Sequence, residues 1–133
     1  MQTSIFAPST TAAVVRYLVQ DLDRSIAFYT GPVGFKLTQR AGPIATVSRG
    51  DLHLLLSGPQ SSGAKPLPDG RRQESGGSNR IVLYVDSLDS TMSALQASGV
   101  RFRNEVLSGP GGRQIQLEDP DGNPVELHEA PKK

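Results

Sequence analysis

Two successive blocks of the chain show the same order of hydrophobic patterns. In the first block, residues 12–19 form a run of β-branched and aromatic residues typical of a strand. After Asp21, a helix-capping residue, apolar side chains repeat at helical spacing over residues 22–29. Short runs bounded by turn residues predict further strands at residues 34–39, 44–48 and 52–56. This block predicts a βαβββ module over residues 12–57.

The second block repeats that order. Residues 80–85 predict a strand, and Ser87 is placed to cap a helix that contains Leu88, Met92 and Leu95 and is closed by Gly99. Further strands are predicted at residues 100–105, 112–117 and 124–129. The repeat predicts an α+β fold of two tandem βαβββ modules in one domain. The expected bounds are 12–130 for the domain, 80–130 for the second module, and 1–11 and 131–133 for loose tails.

Between the modules, residues 58–79 are rich in Ser, Gly, Pro and charged residues, a composition that cannot build a core. We interpret this segment as a linker. Because loops of such length are often functional, a flap over a cleft is the alternative.

A tight hairpin is predicted near the C-terminus, where residues 119–123 read Asp-Pro-Asp-Gly-Asn. Side chains alternate across a strand, so Pro124, Glu126 and His128 share one face and Val125 and Leu127 the other. The hairpin thus places a carboxylate on one face of a sheet. On the preceding strand, the sequence leaves open whether Gln114 and Gln116 or Arg113, Ile115 and Leu117 share that face.

Composition excludes several classes of function. The 133 residues carry a formal net charge of +1, with scattered charges, which gives no broad field for nucleic acid or for an anionic membrane. Without cysteine there is no disulfide, no thiolate nucleophile and no Cys-ligated zinc. No run approaches the roughly 20 apolar residues of a membrane span. We expect a cytoplasmic protein with neither nucleic acid nor membrane as a partner.

The repeated module resembles the vicinal oxygen chelate superfamily, which includes glyoxalase I, bleomycin-resistance proteins and extradiol dioxygenases. The resemblance rests on residues 21–29, on the dipeptide Gly34-Phe35 and on residues 118–127, Glu-Asp-Pro-Asp-Gly-Asn-Pro-Val-Glu-Leu. It implies that each module curls its sheet into a cup, and that paired modules, usually from two chains in members this short, enclose a cleft. A homodimer is therefore expected.

The same resemblance implies four metal-ligand positions, on the first and last strand of each module. They fall on Val14, Leu55, Arg80 and Glu126, with Leu54 replacing Leu55 if the register shifts by one. Only Glu126 can ligate, whereas Zn, Ni or Fe needs about three protein ligands. No metal cofactor is therefore expected, and a buried Glu126 would need a cationic partner, for which Arg80 is the natural candidate.

Other candidate site residues follow from strand parity. His53 shares a face with Leu55, and His128 shares one with Glu126, so a His, His, carboxylate set is the alternative metal site. Arg16 is a candidate for binding a ligand carboxylate or for lying at the rim. Tyr84 could donate its hydroxyl or serve in packing.

The leading functional hypothesis is a metal-independent protein that binds a small organic molecule, as drug-sequestering members do in antibiotic resistance. Val14, Arg16, His53, Leu55, Arg80, Tyr84 and Glu126 are the expected binding residues. One alternative is an enzyme of the same fold, either a metal-dependent lyase or dioxygenase or a metal-free isomerase with Glu126 as base. Another is a subunit whose dimer surface is its function.

Overall fold

A computed structural model of the protein describes residues 13–132. The predicted tail at 1–11 lies outside the described residues. The first module comprises β1 (Val15–Leu18), α1 (Leu22–Thr30), β2 (Lys36–Ala41), β3 (Ile44–Arg49) and β4 (Leu52–Ser57). Its strands form a sheet in the order β1-β4-β3-β2, in which β1 runs parallel to β4.

The second module comprises β5 (Ile81–Tyr84), α2 (Leu88–Ala97), β6 (Arg101–Phe102), β7 (Leu107–Gly109), β8 (Gly112–Glu118) and β9 (Pro124–Glu129). Its sheet has the order β5-β9-β8-β6, and β7 pairs with β8. The predicted α+β architecture is confirmed. Hydrogen bonding divides the strands into two mixed sheets, one for each module, and neither sheet closes on itself.

Local sequence explains where the helices begin. The Asp21 side chain accepts a hydrogen bond from the Arg24 backbone N–H, and Ser87 caps α2 in the same way through the Ser90 N–H. The α2 N-terminus has a second partner, because the backbone N–H of Leu88 donates to Oε1 of the buried Glu129 at 3.0 Å. Neither helix of the described residues is long or apolar enough to span a membrane.

One face of each sheet forms the core. Alternate residues of the strands, among them Val47, Leu54, Leu56, Leu117 and Val125, are completely buried. The opposite faces carry Glu126 and its neighbours in the second module and Leu55 and its neighbours in the first. We call these the open faces.

The predicted strand at residues 100–105 is wrong in extent. Of these residues only Arg101 and Phe102 form strand pairs with β8. The pairing ends there because the Asn104 side chain, and not a backbone carbonyl, accepts the Gln116 backbone N–H at 2.9 Å. The chain turns away there and returns as β7, which the sequence pattern did not predict.

The Asp119–Asn123 turn joins the two modules. The Asp119 carboxylate accepts the backbone N–H groups of Asp121 and Asn123, and Tyr29 of α1 donates its hydroxyl to the same carboxylate at 2.9 Å. Burial raises the pKa of both the Tyr29 hydroxyl and the Asp119 carboxyl. The Asn123 amide donates to the Leu18 carbonyl, so β1 is fastened to the turn as well.

Tyr17 is a second link between the modules. Its buried hydroxyl donates to the Pro124 carbonyl at 2.7 Å and accepts the Ile81 backbone N–H at 3.0 Å. One phenol therefore connects β1 with both β5 and β9. Direct strand pairing is replaced at this position by a side chain.

The segment between the modules contains only a short 3₁₀ turn, Ser62–Ala64. It is held by polar contacts rather than by a core. Near its start the Gly58 N–H donates to the Pro43 carbonyl, and near its end the Gly76 N–H donates to the Asn123 side chain.

Candidate functional site

Glu126 lies at the centre of the open face of the second module. It is 6% exposed, although it projects from a strand whose opposite face is core. Arg80, directly before β5, donates from Nε to Glu126 Oε1 at 2.9 Å, and the side chains of Arg80 and Glu126 are 28% and 8% exposed. The pairing predicted from the sequence is present in the structure.

His128 and Gln114 also contact the Glu126 carboxylate. His128 Nδ1 lies 3.2 Å from Glu126 Oε2. With its amide nitrogen turned toward the carboxylate, Gln114 donates to both oxygens, at 3.1 and 3.3 Å. Gln114 pairs with His128 and Gln116 with Glu126, so the glutamines of β8 share this open face. The sequence left open which set of β8 side chains shares a face with Glu126, and the structure shows that it is the glutamines.

His128 faces an acceptor at each ring nitrogen. Its Nε2 lies 2.8 Å from the Gly111 carbonyl, and Nδ1 faces Glu126. Both contacts are satisfied only when both nitrogens carry a proton, so the Gly111 carbonyl and then the Glu126 carboxylate raise the pKa of His128 above its ordinary value. The Tyr84 ring packs against the imidazole with ring centroids 5.1 Å apart.

The open face of the first module carries other candidates. Arg16 pairs with Leu55 across β1 and β4, and His53 lies two residues before Leu55. The Nδ1 atom of His53 contacts the Ser48 hydroxyl at 2.8 Å. His53 thus belongs to the first sheet, whereas Glu126 and His128 belong to the second, so the alternative His, His, carboxylate set is divided between the sheets.

The donor chemistry at the four inferred ligand positions does not fit a metal ion. Val14 precedes β1 and is 53% exposed, and Leu55 likewise offers only hydrocarbon. Arg80 presents a permanent cation to Glu126, where a second ligand would be required. Across residues 13–132 no three His, Cys, Asp or Glu side chains gather into a set able to hold a metal.

The same contacts bear on proton transfer. Each oxygen of Glu126 already faces at least one donor from Arg80, His128 or Gln114. A carboxylate in this state is anchored by hydrogen bonds. It would have to exchange a partner before it could accept a proton from a substrate.

A groove of about 740 Å³ opens between the edges of β1 and β5. Apolar residues from both strands and from the start of β4 line it, namely Val15, Leu52, Ile81, Val82 and Leu83. The polar lining includes Arg16, Arg49, Asp51, Arg80 and the exposed Tyr84. Tyr17 also lines the groove, at the point where its hydroxyl connects β1 with β5.

The groove brings together some predicted residues and adds others. Arg16, Arg80 and Tyr84 line it. Glu126 contacts Arg80 but is outside the lining, as are His53 and Leu55. Sequence reasoning missed Tyr17, Arg49 and Asp51. Strand parity does place Tyr17 on the core side of β1, but the approach of the β3–β4 turn to β5 depends on packing between modules.

Comparison with known proteins places the chain among relatives of varied activity. The family model described as Glyoxalase/Bleomycin resistance protein/Dioxygenase superfamily matches residues 11–127. No match was found among curated protein sequences.

Solved structures of the same architecture superpose on most of the chain. A lactoylglutathione lyase from Agrobacterium tumefaciens is 24% identical, with a TM-score of 0.70 over 92% of this chain and 95% of its own. The fosfomycin resistance protein FosX from Listeria monocytogenes is 16% identical, with a TM-score of 0.70 over 93% of this chain and 96% of its own. TnmS3, an antibiotic binding protein from Streptomyces sp. CB03234, is 26% identical, with a TM-score of 0.66 over 93% of this chain and 100% of its own.

Proposed function

The chain belongs to the Glyoxalase/Bleomycin resistance protein/Dioxygenase superfamily, and on that premise we propose that it binds a small organic molecule without a metal ion and acts by sequestering it. Superfamily members include glyoxalases, fosfomycin resistance proteins and antibiotic-binding proteins. The proposal assigns this chain to the binding branch, with a drug or natural product as the ligand.

The observation that carries the proposal is the pairing of Arg80 with Glu126. The Arg80 guanidinium donates to the Glu126 carboxylate at 2.9 Å and supplies the positive charge that a metal cation would supply. The other inferred ligand positions carry hydrocarbon side chains. A metal ion would have to displace Arg80 and would then meet, within residues 13–132, only the Glu126 carboxylate and the His128 imidazole, fewer than the roughly three protein ligands it needs. Binding by shape and by polar contacts is the function that this donor set supports.

The groove supports the same reading. Its volume is within the range of small-molecule sites, and its lining combines apolar side chains with a few polar groups that can orient a ligand. Val82 and Tyr84 are 42% and 68% exposed and are neighbours on one face of β5, and adjacent exposed apolar side chains often mark a binding site. The likeness to TnmS3 covers the whole of that antibiotic-binding chain.

Apolar exposure on the open faces also supports the proposed homodimer. Leu107 of β7 is 56% exposed and lies on the same open face as Val82, because its cross-strand partner is Gln114. A second copy that covers this face would deepen the site. Light scattering tests this part of the proposal: a mass near 14.2 kDa would refute it.

Thermal melting tests the function. Protein purified without a His tag is melted with Zn²⁺, Ni²⁺, Fe²⁺ or Mn²⁺, and separately with a panel of aromatic natural products and antibiotics. We expect an organic compound to raise the melting temperature, since a ligand at a hundredfold excess over its Kd stabilises by about 2.7 kcal/mol.

The metals serve as the opposing arm of that experiment. They should leave the melting temperature unchanged, and elemental analysis should find no metal in stoichiometric amount. Stoichiometric metal that is lost in Glu126→Gln would overturn the proposal in favour of a metal-dependent enzyme.

A further inference from the structure

The charges in the groove between β1 and β5 are not balanced. Arg80 is neutralised by Glu126, but Arg16 and Arg49 face the groove with Asp51 as the acidic residue of its lining. Among residues 13–132 neither Arg16 nor Arg49 has a side-chain hydrogen bond or an ion pair. Within this part of the chain, two guanidinium groups are thus presented to a partly apolar groove without a side-chain partner.

Arg16 is held in place by the segment between the modules. A Cβ atom built on Gly63 would lie 1.3 Å from Arg16 Nη1 and 2.9 Å from Arg16 Cδ, so the arginine side chain rests on the bare backbone of this glycine. Gly63 thereby makes room for the guanidinium and directs it. An arginine on the rim without such support would be free to turn into solvent.

Arg80 adds to the positive character of the groove. It is a third guanidinium in the lining, on the same open face as Tyr84. The acidic groups nearby, Asp51 and Glu126, are outnumbered by Arg16, Arg49 and Arg80. A ligand that carries a negative charge would meet a complementary field.

We propose that the ligand of this groove is an organic anion. Its acidic group, a carboxylate, sulfonate or phosphonate, binds Arg16 with help from Arg49, and its apolar body lies on Val15, Val82 and Tyr84. The inference rests on the proposed function, because it names the chemical class of the molecule that is bound.

A pair of fluorescent probes tests the inference. 8-Anilinonaphthalene-1-sulfonate and N-phenyl-1-naphthylamine share the same aromatic body, and only the first carries an acidic group. We expect the sulfonate to bind about tenfold more tightly at low salt, in line with one charge-assisted contact. The preference should shrink as NaCl is raised, because these arginines are solvent-exposed.

Three variants assign the preference to its source. Arg16→Gln removes the charge, and Gly63→Ala keeps the charge but displaces it, at little cost to stability because the atom that must move is the end of a flexible side chain. Both should bring the ratio of the two affinities toward one. Arg72→Gln, which removes an exposed arginine outside the groove, should leave the ratio unchanged.

The outcomes separate this inference from the proposed function. Equal wild-type affinity for both probes, or a ratio that survives in Arg16→Gln, overturns the anion assignment and leaves small-molecule binding intact. Failure of both probes, and of the natural-product panel, overturns the proposed function together with the inference.

Discussion

Replacing Arg80 with Met tests the central contact of the site. Met keeps much of the apolar stem of Arg80 but removes the guanidinium that donates to Glu126 at 2.9 Å and to the Ser78 carbonyl at 3.1 Å. Glu126, which is 6% exposed, is then left with His128 and Gln114 as its partners. We expect a clear loss of stability with the fold retained.

The size of the loss follows from the burial of the pair. Breaking a fully buried ion pair costs about 3–5 kcal/mol, whereas an exposed pair contributes about 0–1 kcal/mol. The Arg80 side chain is 28% exposed, and two other donors remain on Glu126, so an intermediate cost of about 2 kcal/mol is expected. For a chain of 133 residues this corresponds to a fall in melting temperature of about 7 °C.

Thermal and urea unfolding measure the loss, and the chain offers a matched control. Arg71 contacts Asp69 at 2.7 Å, but their side chains are 76% and 54% exposed, so Arg71→Met should cost less than about 0.5 kcal/mol. A double-mutant cycle with Glu126→Gln should show coupling, because removing both charges leaves no buried carboxylate unpaired. Equal melting temperatures for Arg80→Met and Arg71→Met would refute the reasoning.

Three further predictions concern the links around the site. Tyr17→Phe leaves the Ile81 N–H and the Pro124 carbonyl without their partner and should cost about 3 kcal/mol in urea unfolding; Tyr84→Phe, at a residue that is 68% exposed, is the control and should cost almost nothing. Tyr29→Phe removes a buried hydrogen bond to Asp119 and should cost about 1–2 kcal/mol, and a variant as stable as wild type would contradict the role given to the turn. His128 has a raised pKa in the folded state, so its contribution to stability is present below its ordinary value of 6.5 and is lost as pH rises through the higher value. Urea unfolding across this range should show a steeper fall for wild type than for His128→Gln, and parallel curves would exclude the effect.

Local signals in the sequence were sufficient for most of the fold. The capping residues Asp21 and Ser87 determine where the helices begin, and the turn at 119–123 sets the register of β9. The strand at residues 100–105 was overextended because the pattern of apolar residues cannot show that the Asn104 side chain interrupts the ladder. The Gln116 N–H donates to a side-chain acceptor in place of a main-chain acceptor, and hydrophobic periodicity carries no information on that difference.

Contacts between distant segments were predictable only where the family resemblance related them. Arg80 and Glu126 could be paired because the resemblance places both at ligand positions of the second module, where a buried Glu126 needs a cationic partner. Tyr17, Arg49 and Gly63 could not be assigned in this way. Their roles arise where one module or the linker meets another part of the chain, and no pattern within a single strand specifies that meeting.

Tyr17 also bears on how the groove accepts a ligand. Because its hydroxyl binds main-chain atoms of both β5 and β9, the edges of β1 and β5 cannot separate beside Tyr17 without breaking two buried hydrogen bonds. The Asp119 turn, which binds Tyr29 of α1, fixes the same two modules on the core side. The groove is therefore preformed beside Tyr17, and adjustment to a ligand is expected at exposed residues of its lining such as Tyr84. Tyr17→Phe should consequently weaken probe binding as well as the fold, whereas Tyr84→Phe should alter binding alone.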